Sequence, residues 1–135
     1  MKRLALALVL TFIVGVVAGG IGGPVLSAQQ MPVKRTVIQK VDLVDRDGIM
    51  YLAEIAPGAA AGKHYHPGPE VVYTLQGSWI LEVEGKPPLT LKAGESSQIP
   101  AKQVHNATNA SKTDPVKILV FLAAEKGQPL ATNVK

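Results

Sequence analysis

The chain has 135 residues, with 14 Lys and Arg against 10 Asp and Glu, three His and no Cys. That length fits a single domain, and the lack of cysteine excludes disulfide staples, a thiolate nucleophile and a lipid-modified cysteine. The basic excess is small and forms no run of positive charge, which excludes nucleic acid as an expected partner.

In chain order, the first element is an export signal. Lys2 and Arg3 precede an uncharged apolar stretch over residues 4–18. A small, flexible region follows, with Gly19, Gly20, Gly22, Gly23 and Pro24 leading to Ser27 and Ala28. A basic start, an apolar middle and small residues before a polar chain describe a secretory signal peptide over 1–28, cleaved after Ser27 or Ala28. The competing reading is an uncleaved membrane anchor, since the run approaches the roughly 18 residues that a span requires. Lys-Arg in place of Arg-Arg points away from a twin-arginine signal and toward export of an unfolded chain. Without residues 1–28 the chain keeps 12 basic against 10 acidic residues, because only Lys2 and Arg3 are lost. The expected location is periplasmic or secreted, with membrane contact only through the N-terminal segment if it stays uncleaved.

Residues 29–35 read as a polar linker. Beyond them no segment keeps apolar residues at three-and-four spacing over ten positions, so no helix is predicted. Short β-rich runs occur at 36–41, 49–55, 71–75, 79–83, 89–91, 98–99 and 116–123. Gly- and Pro-rich turns separate them at 45–48, 56–58, 76–77, 84–88, 92–94 and 113–115. Many short strands at even spacing predict an all-β sandwich or barrel over 36–125, followed by an extended tail over 126–135. Alternation puts Trp79, Leu81 and Val83 on one face. Residues 116–123 are apolar on both faces beyond Lys117, so the outer face of that strand needs a cover, most simply a second copy of the chain.

The three histidines and one glutamate form the candidate site. His64 and His66 lie two apart, so on a strand both rings point the same way. Glu70 follows a Pro67-Gly68-Pro69 turn able to return its carboxylate to that side. His105 comes later, after Gly94 and Pro100. Three imidazoles and a carboxylate suit a divalent first-row metal. A lone His-x-His pair is weak evidence, but here it sits within two larger patterns. Gly58, His64, His66, Glu70 and Gly77 satisfy G-x5-HxH-x3,4-E-x6-G in register. Gly94, Pro100, His105 and Asn109 satisfy G-x5-PxG-x2-H-x3-N, except that Lys102 stands at the second glycine.

In these motifs, which span residues 58–109, the chain resembles the cupin superfamily and its small single-domain members. The resemblance implies a single jelly-roll β-barrel, usually a homodimer. It implies one divalent transition metal ion per chain (Fe, Ni, Zn, Cu or Mn) held by His64, His66, Glu70 and His105. It makes Gly58, Gly77 and Gly94 turn positions and Asn109 structural, and Lys102 then implies a slightly altered loop. By strand parity with Glu70, Val72 and Thr74 should line the pocket while Val71, Tyr73 and Leu75 face outward; Trp79 reads as core. Once the metal takes three histidines no imidazole is left as general base, so any chemistry belongs to the ion and to Glu70 as a proton acceptor. The resemblance allows a metal-dependent dioxygenase-like oxidoreductase or an isomerase acting on a small organic substrate. The alternative is a non-catalytic metal-dependent small-molecule or metal-binding protein of the periplasm. An ion collected outside the cytoplasm follows the affinity order toward Cu, Zn or Ni.

Overall fold

The computed structural model describes residues 33–135; the export signal read from residues 1–28 lies outside them. The elements are β1 (Val33–Leu43), β2 (Arg46–Ile55), β3 (His64–Tyr65), β4 (Glu70–Gln76), β5 (Ser78–Val83), β6 (Leu89–Lys92), β7 (Ser96–Ile99), β8 (His105–Asn109), β9 (Val116–Glu125) and β10 (Thr132–Asn133). They form two five-stranded sheets, β1-β2-β9-β4-β7 and β10-β3-β8-β5-β6, with every ladder antiparallel. This is the all-β architecture expected of the chain, with no helix among the described residues.

Period-two alternation explains how the sheets face each other. On β9, Val116, Ile118, Val120, Leu122 and Ala124 are buried, and on β4 Glu70, Val72 and Thr74 are buried. Between them Val71, Tyr73, Leu75 and Phe121 turn outward and are exposed. From the second sheet Trp79, Leu81 and Leu91 close the core. Trp79 is core as expected, and its indole N–H donates to the Thr74 hydroxyl at 2.9 Å. Thr74 therefore faces inward, but its hydroxyl is spent on Trp79 and does not line the cavity.

Three boundaries differ from the sequence reading. Strand β1 begins at Val33, inside the segment read as a linker, because Val33, Lys34 and Arg35 pair with Ile55, Glu54 and Ala53. The turn expected over 45–48 is instead the two-residue Val44-Asp45 connection, and Arg46, Asp47 and Gly48 belong to β2. Val44 sits there at a φ of 55°, a conformation costly for a β-branched residue. The tail is extended, but Thr132 and Asn133 also pair with Tyr65 and His64 as β10.

Turn glycines hold the site in shape. Gly58, Gly77 and Gly94 all have positive φ, as turn positions require. Gly68 serves differently: a Cβ there would collide with the backbone carbonyl of Ala123, so the turn between His66 and Glu70 rests directly on β9. Asn109 is structural, as expected. It is buried, its amide donates to the carbonyls of Ile55, Ala56 and Asp114, and its oxygen accepts from Ser111 N–H.

Candidate metal centre

The site forms where the two sheets meet. His64 lies on β3 opposite His105 on β8, and His66 follows immediately after β3. Glu70 opens β4 in the other sheet, paired with Ile99 and Leu122. All four side chains are buried. The ligating atoms of His64, His66 and His105 lie within 4.8 Å of one another, close enough for one ion to bridge. The Glu70 carboxylate stands beside them, 3.2 Å from His105 Nε2 and 3.5 Å from His66 Nε2.

Each ring is held by its far nitrogen. His64 Nδ1 meets the Gly62 carbonyl at 2.7 Å, His66 Nδ1 meets that of Leu130 at 2.7 Å, and His105 Nδ1 meets that of Gln103 at 2.9 Å. A carbonyl only accepts, so each Nδ1 carries the proton and donates it. In the neutral tautomer each Nε2 then presents a lone pair toward the others and toward Glu70. Anchoring of this kind fixes ring orientation and tautomer in metal sites. Gathered lone pairs facing a carboxylate need a positive charge among them.

That charge is not readily a proton. Burial pushes His64 down to about 4 and also lowers His66, so both rings are neutral at pH 7. For Glu70, burial pulls toward protonation. Contact with His105 and positive charge at the three rings, which a bound ion would supply, pull the other way and lower the carboxyl. A buried anion beside neutral nitrogen donors fits a divalent transition ion.

Two residues not singled out from the sequence complete the site. The Tyr51 hydroxyl on β2 donates to Glu70 Oε2 at 3.4 Å; burial, followed by the charge of Glu70, raises its pKa and keeps it protonated. Parity could have found it, because Tyr51, Ala53 and Ile55 share the face opposite Glu54. Arg35 on β1 approaches His64 Nε2 at 3.4 Å and carried no signal while its segment read as linker. Lys102 takes a φ of 60°, in the left-handed region that favours glycine, and its N–H donates to the His66 carbonyl at 3.0 Å. Gln98 is exposed, and Gln103 serves through its carbonyl on His105.

The remaining walls are apolar, with Val33, Ile55, Val72, Ile99, Ile118 and Val120 around the ligands. The space between them open to water-sized groups is about 40 Å³. The model of the cupin domain family matches residues 51–122, slightly more than half of the chain. The chain belongs to the cupin family. Among curated proteins this cupin resembles dimethylsulfoniopropionate lyase DddW of Ruegeria pomeroyi, with 34% identity over 71 residues. That match covers 53% of this chain and 46% of the lyase, so the chain spans about half the length of that relative. Among solved structures, dimethylsulfoniopropionate lyase DddQ from Ruegeria pomeroyi aligns with a TM-score of 0.66 at 18% identity, over 84% of this chain and 57% of that one. An oxalate oxidase in complex with the substrate analogue glycolate aligns with a TM-score of 0.61 at 20% identity, over 79% and 57%. At such identities the structural likeness speaks for the fold.

Proposed function

We propose that this cupin is an exported metal-dependent enzyme, in which His64, His66, His105 and Glu70 hold one divalent transition ion against a small organic substrate. The observation that carries the reading is the convergence of three carbonyl-anchored imidazoles and a buried carboxylate on one interior cavity. When bound, the ion supplies Lewis acidity and open coordination positions for a substrate's oxygen atoms. The chain's own residues do the rest. The Nδ1 hydrogen bonds fix the rings, and the apolar walls exclude water, which strengthens every charge interaction inside. Glu70 is the one carboxylate in reach, and its Oε2 can take a proton from the substrate while the Tyr51 hydroxyl steadies it. Such a centre serves a dioxygenase-like oxidation. The names of the relatives, a lyase of dimethylsulfoniopropionate and an oxidase of oxalate, support a small-molecule substrate.

The partner in solution is a second copy of the chain, seated on the outer face of the first sheet. There Met50, Phe121 and Val71 form one apolar row in register, and Leu52, Leu119 and Tyr73 the next. Residues 1–28 carry the chain out of the cytoplasm, so the ion is acquired outside it.

The test is to load metal-free protein with Fe, Ni, Zn, Cu or Mn separately and follow oxygen uptake and product mass on a panel of small organic acids and alcohols. Turnover that depends on the ion and disappears in His105→Ala supports the enzyme. The scarcity of polar groups in the lining beyond the ligands favours a second reading, a non-catalytic binder. A fully loaded protein that turns nothing over, yet melts higher with one of these compounds, would establish that instead.

A further inference from the structure

We infer that Arg35 makes this site a receptor for small carboxylates, with the anion held between its guanidinium and the metal. The inference rests on the reading of the site as a metal centre and adds the charge of the substrate to it.

Strand β1 enters with Val33 and Arg35 opposite Ile55 and Ala53, on the inward face of the ladder. Val33 packs into the core, and Arg35, two residues on, has the same orientation and lines the cavity. Its Nη2 lies 3.4 Å from His64 Nε2. It acts on Tyr51 as well, drawing the phenol's pKa downward against burial. Both neighbours are neutral. Arg46 and five lysines form ion pairs with carboxylates, whereas Arg35 pairs with no carboxylate among the described residues. A half-buried guanidinium that lines the same cavity as Glu70 yet forms no ion pair with it is costly. The cost makes sense where the anion arrives with the ligand.

The charge balance points the same way. A divalent ion and Arg35 bring three positive charges into the cavity, and Glu70 alone answers them with one negative charge. The His64 Nε2 lone pair cannot serve the guanidinium and an ion together. Once the ion takes it, the Arg35 N–H donors are released at the edge of the coordination site. A carboxylate matches that arrangement, since guanidinium and carboxylate pair through two parallel hydrogen bonds and leave further lone pairs for the ion. The apolar side chains of Val33, Ile55 and Val120 beside Arg35 suit an acid with a short aliphatic part. Lys34 and Thr36 point to the other face, so no neighbouring residue on β1 can replace Arg35.

The test compares propionate with its neutral counterpart propionamide, by calorimetric titration of metal-loaded wild-type, Arg35→Gln and Arg35→Lys proteins. Metal content and melting temperature are measured on the same samples. The expected result is that Arg35→Gln weakens propionate binding roughly tenfold or more. Arg35→Lys should recover part of the loss, and propionamide should bind weakly to all three. Propionate affinity that is unchanged in a folded, metal-loaded Arg35→Gln, or absent from the wild type, overturns the carboxylate assignment and leaves the metal centre standing. Absence of metal from the wild type overturns both.

Discussion

Lys102 shows how a single residue carries the cost of a motif. Its backbone sits at a φ of 60°, where a side chain costs about 1 kcal/mol or more and glycine almost nothing. The loop keeps its shape because the Lys102 N–H still holds the His66 carbonyl. Lys102→Gly is expected to raise stability by about 0.5–1 kcal/mol without changing metal content. A thermal melt checks this, and a fall would mean that the exposed ion pair with Glu125 at 3.1 Å outweighs the backbone strain. Residue-scale reading of the sequence found the four candidate ligands because His-x-His and the distant His105 stand in fixed spacing. It missed Arg35, since the charged residues around it disguise the start of a strand whose inward face only the ladder with β2 reveals.

At the scale of elements, the C-terminal strand acts as a strap behind the candidate metal site. β10 pairs with β3, Val134 N–H donates to the Lys63 carbonyl, and Leu130 supplies the carbonyl that orients His66. Removing residues 130–135 is expected to lower metal affinity by about 10- to 100-fold, measured by competition with a chromophoric chelator, while the barrel still melts cooperatively. Unchanged affinity would show that β3 is positioned by β8 alone. The longer strands were legible because they alternate: Val71, Tyr73 and Leu75 fall on one face and Val72 and Thr74 on the other, as they do in the fold. β3 and β10 were not, since strands of two residues contain a single period and no repeat of it. The Val44-Asp45 turn was hidden for another reason, because Gly48 four residues on looked like the better place to reverse the chain.

At the scale of the whole molecule, the site ties stability to pH. Burial holds His64 neutral down to about 4, whereas the unfolded chain takes up a proton near 6.5. Between those values the unfolded state binds more protons, so stability of the metal-free protein falls as pH drops. The window of about 2.5 units corresponds to roughly 3 kcal/mol from His64 alone. His66 and Glu70, both lowered as well, act in the same direction. Denaturant titrations of metal-free protein from pH 7 to 4 should show this loss, and a flat profile would mean that the imidazoles are protonated in the fold. Bound metal should steepen the profile, because protons then compete with the ion for the same Nε2 atoms. The most direct measurement is the metal content of purified protein by inductively coupled plasma mass spectrometry, for the wild type, His64→Ala and His105→Ala. One transition ion per chain in the wild type, lost from both folded variants, is the expected result. Equal metal content in all three, or none in the wild type after incubation with each ion, would contradict a metal centre at His64, His66, His105 and Glu70.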